Sequence, residues 1–194
     1  MPLDFNVNFK IDKRIWEKFI EKYPRKASER LREFILNDLK LEHDVVTVNR
    51  DDLEGLRRLI FNNDKPIQLT GKVGVGKTTS IKRLIESDDE HIYIVFDCHD
   101  EYDLPEIQTL TTNLTQSSRI KMPKQISASQ GLFPVYFNQI LSRKYPENYV
   151  IVIEEAHRYE ETRVLLKEAR KFVKLIAILQ EPIGDFCPII KVVE

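Results

Sequence analysis

The chain has only two cysteines, Cys98 and Cys187, among its 194 residues. They form no CxxC pair and no His–Cys metal spacing. Neither a disulfide framework nor a zinc module is expected, and a reducing, cytoplasmic setting fits best. Long apolar runs are also lacking, and residues 1–10 show no cleavage pattern, so no membrane role or targeting segment is expected. Nor does charge of one sign dominate: 30 basic residues face 31 acidic ones, for a formal net charge of -1. The chain is no polycation, and any grip on nucleic acid must come from a local patch. Repeats and low-complexity tracts are missing as well. What is present is a foldable, charge-rich composition, 42% hydrophobic and 31% charged. The length suits one ordinary domain plus a small extra module.

The extra module comes first. Phe5, Val7, Phe9 and Ile11 alternate with Asn6, Asn8 and Lys10, the period of a half-buried strand with one polar face. Asp12 can cap a helix running to about residue 22, which Tyr23-Pro24 stops. Ser28 can cap a second helix carrying Leu31, Phe34, Ile35 and Leu39. So short a segment cannot bury a core of its own, and a lone strand leaves its backbone groups unpaired. A two-fold dimer that pairs two such strands answers both needs. Residues 4–40 resemble the ribbon-helix-helix family of DNA-binding domains. That resemblance implies paired strands in the major groove of double-stranded DNA. Asn6, Asn8 and Lys10 would meet base edges, and Arg25, Lys26 and Ser28 would hold a phosphate. The plainer alternative is a dimerisation element whose polar face is merely solvated.

From residue 48 onward strands and helices alternate. The patterns predict a helix over 51–61, a strand over 66–70, a helix over 77–87 and a strand over 91–97. A helix over 131–143 (despite Pro134), a strand over 148–154, a helix over 161–172 and strands over 174–180 and 188–193 follow. Tyr149-Val150-Ile151-Val152-Ile153 is apolar without alternation, as in a parallel strand covered on both faces. The expected fold class is α/β, a parallel sheet with right-handed crossovers. Two domains are expected, 1–41 and 48–194.

Gly71-Lys72-Val73-Gly74-Val75-Gly76-Lys77-Thr78 satisfies GxxxxGK[ST] and stands between a predicted strand and a predicted helix. Backbone N–H groups of the loop, from Gly71 to Thr79, would cradle the phosphates of ATP at a helix N-terminus. Lys77 would bridge the β- and γ-phosphates, and the Thr78 hydroxyl would ligate Mg²⁺. A second strand should end in a carboxylate, and Tyr149–Ile153 runs into Glu154-Glu155-Ala156-His157. Glu154 would hold Mg²⁺ through a water, and Glu155 would orient and polarise the attacking water. His99 and His157 find no third ligand at suitable spacing, so they read as neighbours of the site rather than metal ligands.

Two further stretches carry a family likeness. Residues 91–102 form a strand ending in Asp97-Cys98-His99-Asp100-Glu101-Tyr102, and residues 169–180 run from Arg170-Lys171 into a strand ending at Gln180. With the P-loop and the Glu-Glu-Ala-His stretch they resemble the HerA/FtsK group of DNA-translocating ATPases, the HerA branch most. The resemblance covers about residues 66–182. It implies a RecA/ASCE-like sheet of order 5-1-4-3-2, counted from the P-loop strand. It also implies Gln180 as sensor of the γ-phosphate, Asp97 and Glu101 as residues of the active site, and Arg170-Lys171 as a basic pair. Departures are Glu154 where the family has Asp, Glu181 in place of the arginine of Gln-Arg-Pro, and Ala169 in place of glycine; slow turnover is the expectation. An arginine completing a neighbour's site could be Arg119, Arg158, Arg163 or Arg170.

The sequence therefore points to a DNA-binding, Mg-ATP-hydrolysing motor used in translocation, packaging or segregation by an archaeal, viral or plasmid replicon. It would be a homo-oligomer, dimeric through residues 4–40, and three such dimers could close a hexamer. Two alternatives stand beside it. Lys72 to Thr79 is similar to the variant P-loop of ParA-type partition ATPases, in which the acidic strand directly neighbours the P-loop strand. The other alternative is a transcription regulator switched by ATP.

Overall fold

A computed structural model describes residues 45–184 and 187–194, together with residues 17, 18, 21 and 22. The chain divides into two compact units, Met1–Leu41 and Glu42–Glu194. In the first, Glu17, Lys18, Glu21 and Lys22 are helical and exposed. The ribbon-helix-helix pattern and its candidate DNA contacts Asn6, Asn8, Lys10, Arg25, Lys26 and Ser28 lie outside the described residues.

Among its described residues the second unit is built on seven parallel strands. In chain order its elements are β1 (Val46–Asn49), α1 (Leu53–Phe61), β2 (Ile67–Thr70), α2 (Lys77–Ser87), β3 (Ile92–Asp97) and β4 (Ser118–Lys121). Then come α3 (Ile126–Ser142), β5 (Tyr149–Ile153), α4 (Thr162–Glu168), β6 (Lys174–Ile178) and β7 (Ile189–Val193). The strands lie in the order β1-β7-β2-β6-β5-β3-β4. Parallel strands need helical crossovers, which cover both faces of the sheet. Alternate residues of the central strands accordingly enter two separate cores. Ile94 and Phe96 of β3, Ile151 and Ile153 of β5, and Leu175 and Ala177 of β6 pack with Phe133, Tyr136 and Ile140 of α3 and Leu165 of α4. Tyr93, Val95, Val150, Val152, Ile176 and Ile178 pack with Leu56 and Ile60 of α1 and Ile81 and Leu84 of α2.

Two strands are not expected from the pattern, and among the described residues both are edges. Among the described residues β1 pairs only with β7, from Val46 opposite Ile190 to Asn49 opposite Val193, so the α/β unit begins before residue 48. β4 reads Ser-Arg-Ile-Lys, and an edge strand with one well-buried apolar side chain has little pattern to announce it. Helix α3 starts at Ile126 rather than at residue 131 and carries Pro134 inside it. The helix expected over 161–172 stops at Glu168, and Ala169–Lys171 tighten into a 3-10 turn that leads to β6. Helix α1 is capped as its sequence suggests, the Asp52 carboxylate accepting the Gly55 N–H at 2.8 Å. Among the described residues no helix is long and apolar enough to cross a membrane.

Candidate nucleotide site

The carboxyl ends of β2, β3, β5 and β6 meet where such sheets place their ligands. After β2 the chain turns through residues 71–76 into α2. Gly71 passes so close to β7 that a Cβ would sit 2.8 Å from the Val192 carbonyl oxygen. Gly76 is left-handed (φ 100°, ψ 16°) and precedes α2 with no side-chain cap. The first N–H groups of α2 therefore lack a capping side chain and point toward any anion placed there. Val75 anchors the loop in the core, whereas Val73 stands out at 79% exposure.

Lys77 opens α2 and is nearly buried. Its ammonium donates to the Gly71 carbonyl at 2.6 Å and to the Lys72 carbonyl at 3.0 Å. Burial lowers its pKa from the ordinary 10.5, against the opposing pull of Glu155 and Glu154. The lysine is thus held at the rim of the loop that it would share with a phosphate.

β5 ends in the two glutamates. Glu154 is 4% exposed. Its Oε2 accepts the Thr78 hydroxyl at 3.4 Å, and its Oε1 accepts the Tyr102 hydroxyl. Burial pushes this carboxyl up to about 7, although both hydroxyls act the other way. A hydroxyl and a carboxylate side by side are hard oxygen donors of the kind Mg²⁺ takes. The pair therefore fits the metal, and Thr78 and Glu154 would hold it. Glu155 has a left-handed backbone (φ 48°, ψ 40°), costing about 1–3 kcal/mol for a residue that is not glycine. Such strain gathers at functional sites, and here it turns the second glutamate out of the strand's regular alternation. The Glu155 carboxylate lies 3.4 Å from His157 Nε2 and 3.7 Å from Arg158 Nη2. Arg158 Nη2 also lies 3.2 Å from His99 Nε2.

One cavity of about 440 Å³ gathers Gly74, Gly76, Lys77, Thr78, Thr79, Glu154, Glu155, Glu101 and Gln180, with Val73, His99 and Ile178. Asp97 belongs to a different job than the expected one. It is 1% exposed, and its carboxylate accepts the N–H groups of His99 (3.1 Å), Glu101 (3.2 Å) and Tyr102 (3.1 Å). Arg119 Nη1 donates to it at 3.1 Å. Asp97 does not border the cavity; it shapes the loop after β3. Arg119 is thereby committed to Asp97 and Asp100. Arg170 and Lys171 precede β6 and border a separate cleft of about 530 Å³ with Lys144, Tyr145, Phe172 and Lys174. That cleft lies at the opposite end of the strands, so neither residue reaches the P-loop of its own chain. Tyr102 escaped the sequence reading as a site residue. It is the last residue of a motif rich in acidic side chains, and nothing local in the sequence shows that its hydroxyl meets Glu154.

Comparison with known proteins agrees with this geometry. No curated protein and no solved structure matches the chain. A family model described as an AAA domain matches residues 57–183, a span that contains the P-loop, both glutamates and Gln180. The chain belongs to the AAA domain family, and it is a P-loop ATPase.

Proposed function

We propose that this ATPase is a DNA-coupled motor of the HerA kind, anchored to duplex DNA by residues 4–40. The observation that carries the reading is the place of β6. It lies between the P-loop strand β2 and the acidic strand β5, which brings Gln180 to the cavity between Lys77 and the two glutamates. In this reading Lys77 binds the β- and γ-phosphates, and Thr78 and Glu154 hold Mg²⁺, which neutralises phosphate charge. Glu155 orients water, and Gln180 senses the γ-phosphate. The intervening strand counts against a partition ATPase, in which β5 would neighbour β2 directly.

Arg170 and Lys171, remote from their own P-loop, suit contact with a second copy of the chain, as a ring requires. The deciding experiment is the steady-state ATPase rate with and without duplex DNA, alongside the assembled mass with an ATP analogue. Stimulation by DNA and a species larger than a dimer are expected. A DNA-insensitive rate in a species that stays dimeric would sink the motor and favour an ATP-operated switch. Deleting residues 1–40 should remove most duplex affinity and leave ATP binding in place; undiminished duplex affinity would reduce that segment to a structural element.

A further inference from the structure

Tyr102 is 3% exposed and packs in the core between the sheet and helices α1 and α2. Its hydroxyl donates to Glu154 Oε1, while the other oxygen of that carboxylate, Oε2, accepts from Thr78 at 3.4 Å. Its backbone is fixed as firmly as its ring. The Tyr102 N–H donates to Asp97 Oδ2 at 3.1 Å, and Asp97 Oδ1 takes the N–H groups of His99 and Glu101. Arg119 holds Asp97 from β4 at 3.1 Å. The result is a continuous support running from Arg119 through Asp97 and the loop after β3 to the Tyr102 hydroxyl, ending on the carboxylate beside Thr78.

The chemistry of Glu154 makes such a support useful. Glutamate has one more rotatable bond than aspartate, and its terminal torsion is broad. Left alone at a strand end, it could turn its oxygens in several directions. With Oε1 bound to a buried phenol, only Oε2 is left to face Thr78. Groups that hydrogen-bond a metal-holding side chain in this way set its orientation, and their loss typically weakens the metal.

We propose that Tyr102 is a positioning residue for the metal-holding carboxylate: it pins one oxygen of Glu154 so that the other, with the Thr78 hydroxyl, faces Mg²⁺. The proposal rests on the reading of Glu154 as a holder of Mg²⁺. It also accounts for a glutamate at a place where the longer side chain needs a fixed partner.

The test uses the full chain and a fluorescent, non-hydrolysable ATP analogue, whose binding is followed by anisotropy as Mg²⁺ is titrated. Tyr102→Phe keeps the buried ring and removes only the hydroxyl. Its Mg²⁺ midpoint is expected to rise about ten- to a hundredfold, with affinity for the analogue in excess EDTA unchanged. In a Glu154→Gln background the same substitution should add nothing, because the carboxylate it positions is gone. Asp97→Asn, which loosens the loop without touching the ring, should shift the midpoint in the same direction and serves if Tyr102→Phe does not fold. A lower melting temperature with an unmoved Mg²⁺ midpoint would make Tyr102 a packing residue and overturn the proposal. If Glu154→Gln itself leaves the midpoint unmoved, the metal assignment falls first and the role of Tyr102 falls with it.

Discussion

The Thr78 hydroxyl lies 3.4 Å from Glu154 Oε2, joining residues 76 apart in the chain. The contact closes the first turn of α2 against the end of β5 and defines the inner wall of the nucleotide cavity. It depends on the packing that holds α2 and β5 in place, and on the loop groups that surround it.

Lys77→Ala should weaken ATP binding by about a hundredfold, since charge-assisted hydrogen bonds to phosphate are each worth about 1.5–3 kcal/mol. Calorimetric titration of the purified variant measures this directly. Parent-like affinity would mean that the phosphates are held elsewhere.

Glu155→Gln should bind ATP as the parent does and lose hydrolysis by about 10²–10⁴-fold, because an amide cannot accept the proton of the attacking water. Single-turnover hydrolysis separates the two effects. If the variant turns over at the parent rate, Glu101, which shares the cavity, becomes the next candidate for the base.

Phe133 of α3 is fully buried, stacks on Tyr159 at 4.0 Å between ring centroids and meets Phe96 edge-on at 5.6 Å. Phe133→Ala should cost about 3–5 kcal/mol through lost burial and a cavity that rigid strands cannot close. Urea unfolding would show a lower midpoint with little change in slope. An effect below about 1 kcal/mol would mean that α3 repacks freely.

Two buried carboxylates predict the acid limb of stability. Burial pushes the Asp88 carboxyl up, but the Tyr93 hydroxyl, the Glu90 N–H and His91 prevail and hold it below the ordinary 3.8. Asp97 is likewise held below 3.8, burial being outweighed by the N–H groups of Tyr102 and Glu101 and by Arg119. A carboxyl depressed in the folded state contributes stability that is full above its unfolded pKa and is lost as pH falls through the folded value. The melting temperature should therefore rise as pH falls from about 7 to about 5, where buried Glu154 takes up its proton, and drop below about pH 4 as Asp88 and Asp97 lose their charge. Asp88→Asn should be destabilised by about 2 kcal/mol at neutral pH and show a shallower acid loss. An acid limb as steep as that of the parent would remove Asp88 from this account.

Read alone, the sequence determined the features whose physics is local. The P-loop is a contiguous string: its glycines shape the backbone, and Lys77 and Thr78 follow at once on the helix that this backbone opens. Tyr149–Ile153 declared a strand buried on both faces, because a parallel strand beneath helices has no polar side to show. Glu154 and Glu155 followed from their position at the end of that strand. Helix α2 begins and ends where its pattern places it, at Lys77 and Ser87.

Tertiary structure decided what depends on partners distant in the chain. Edge strand β4 (Ser-Arg-Ile-Lys) has little apolar pattern, and β1 (Val-Thr-Val-Asn) buries only Val48; each becomes a strand through hydrogen bonds offered by β3 and β7 respectively. Asp97 and Tyr102 exchanged the weight that their motif gave them. Whether a side chain at a strand end faces a cavity or its own loop is set by which N–H groups and hydroxyls lie near it, and for Asp97 those are three N–H groups of the following turn. Tyr102 reaches Glu154 across 52 positions of sequence. No spacing rule encodes such a contact, because it exists only once β3 and β5 lie side by side.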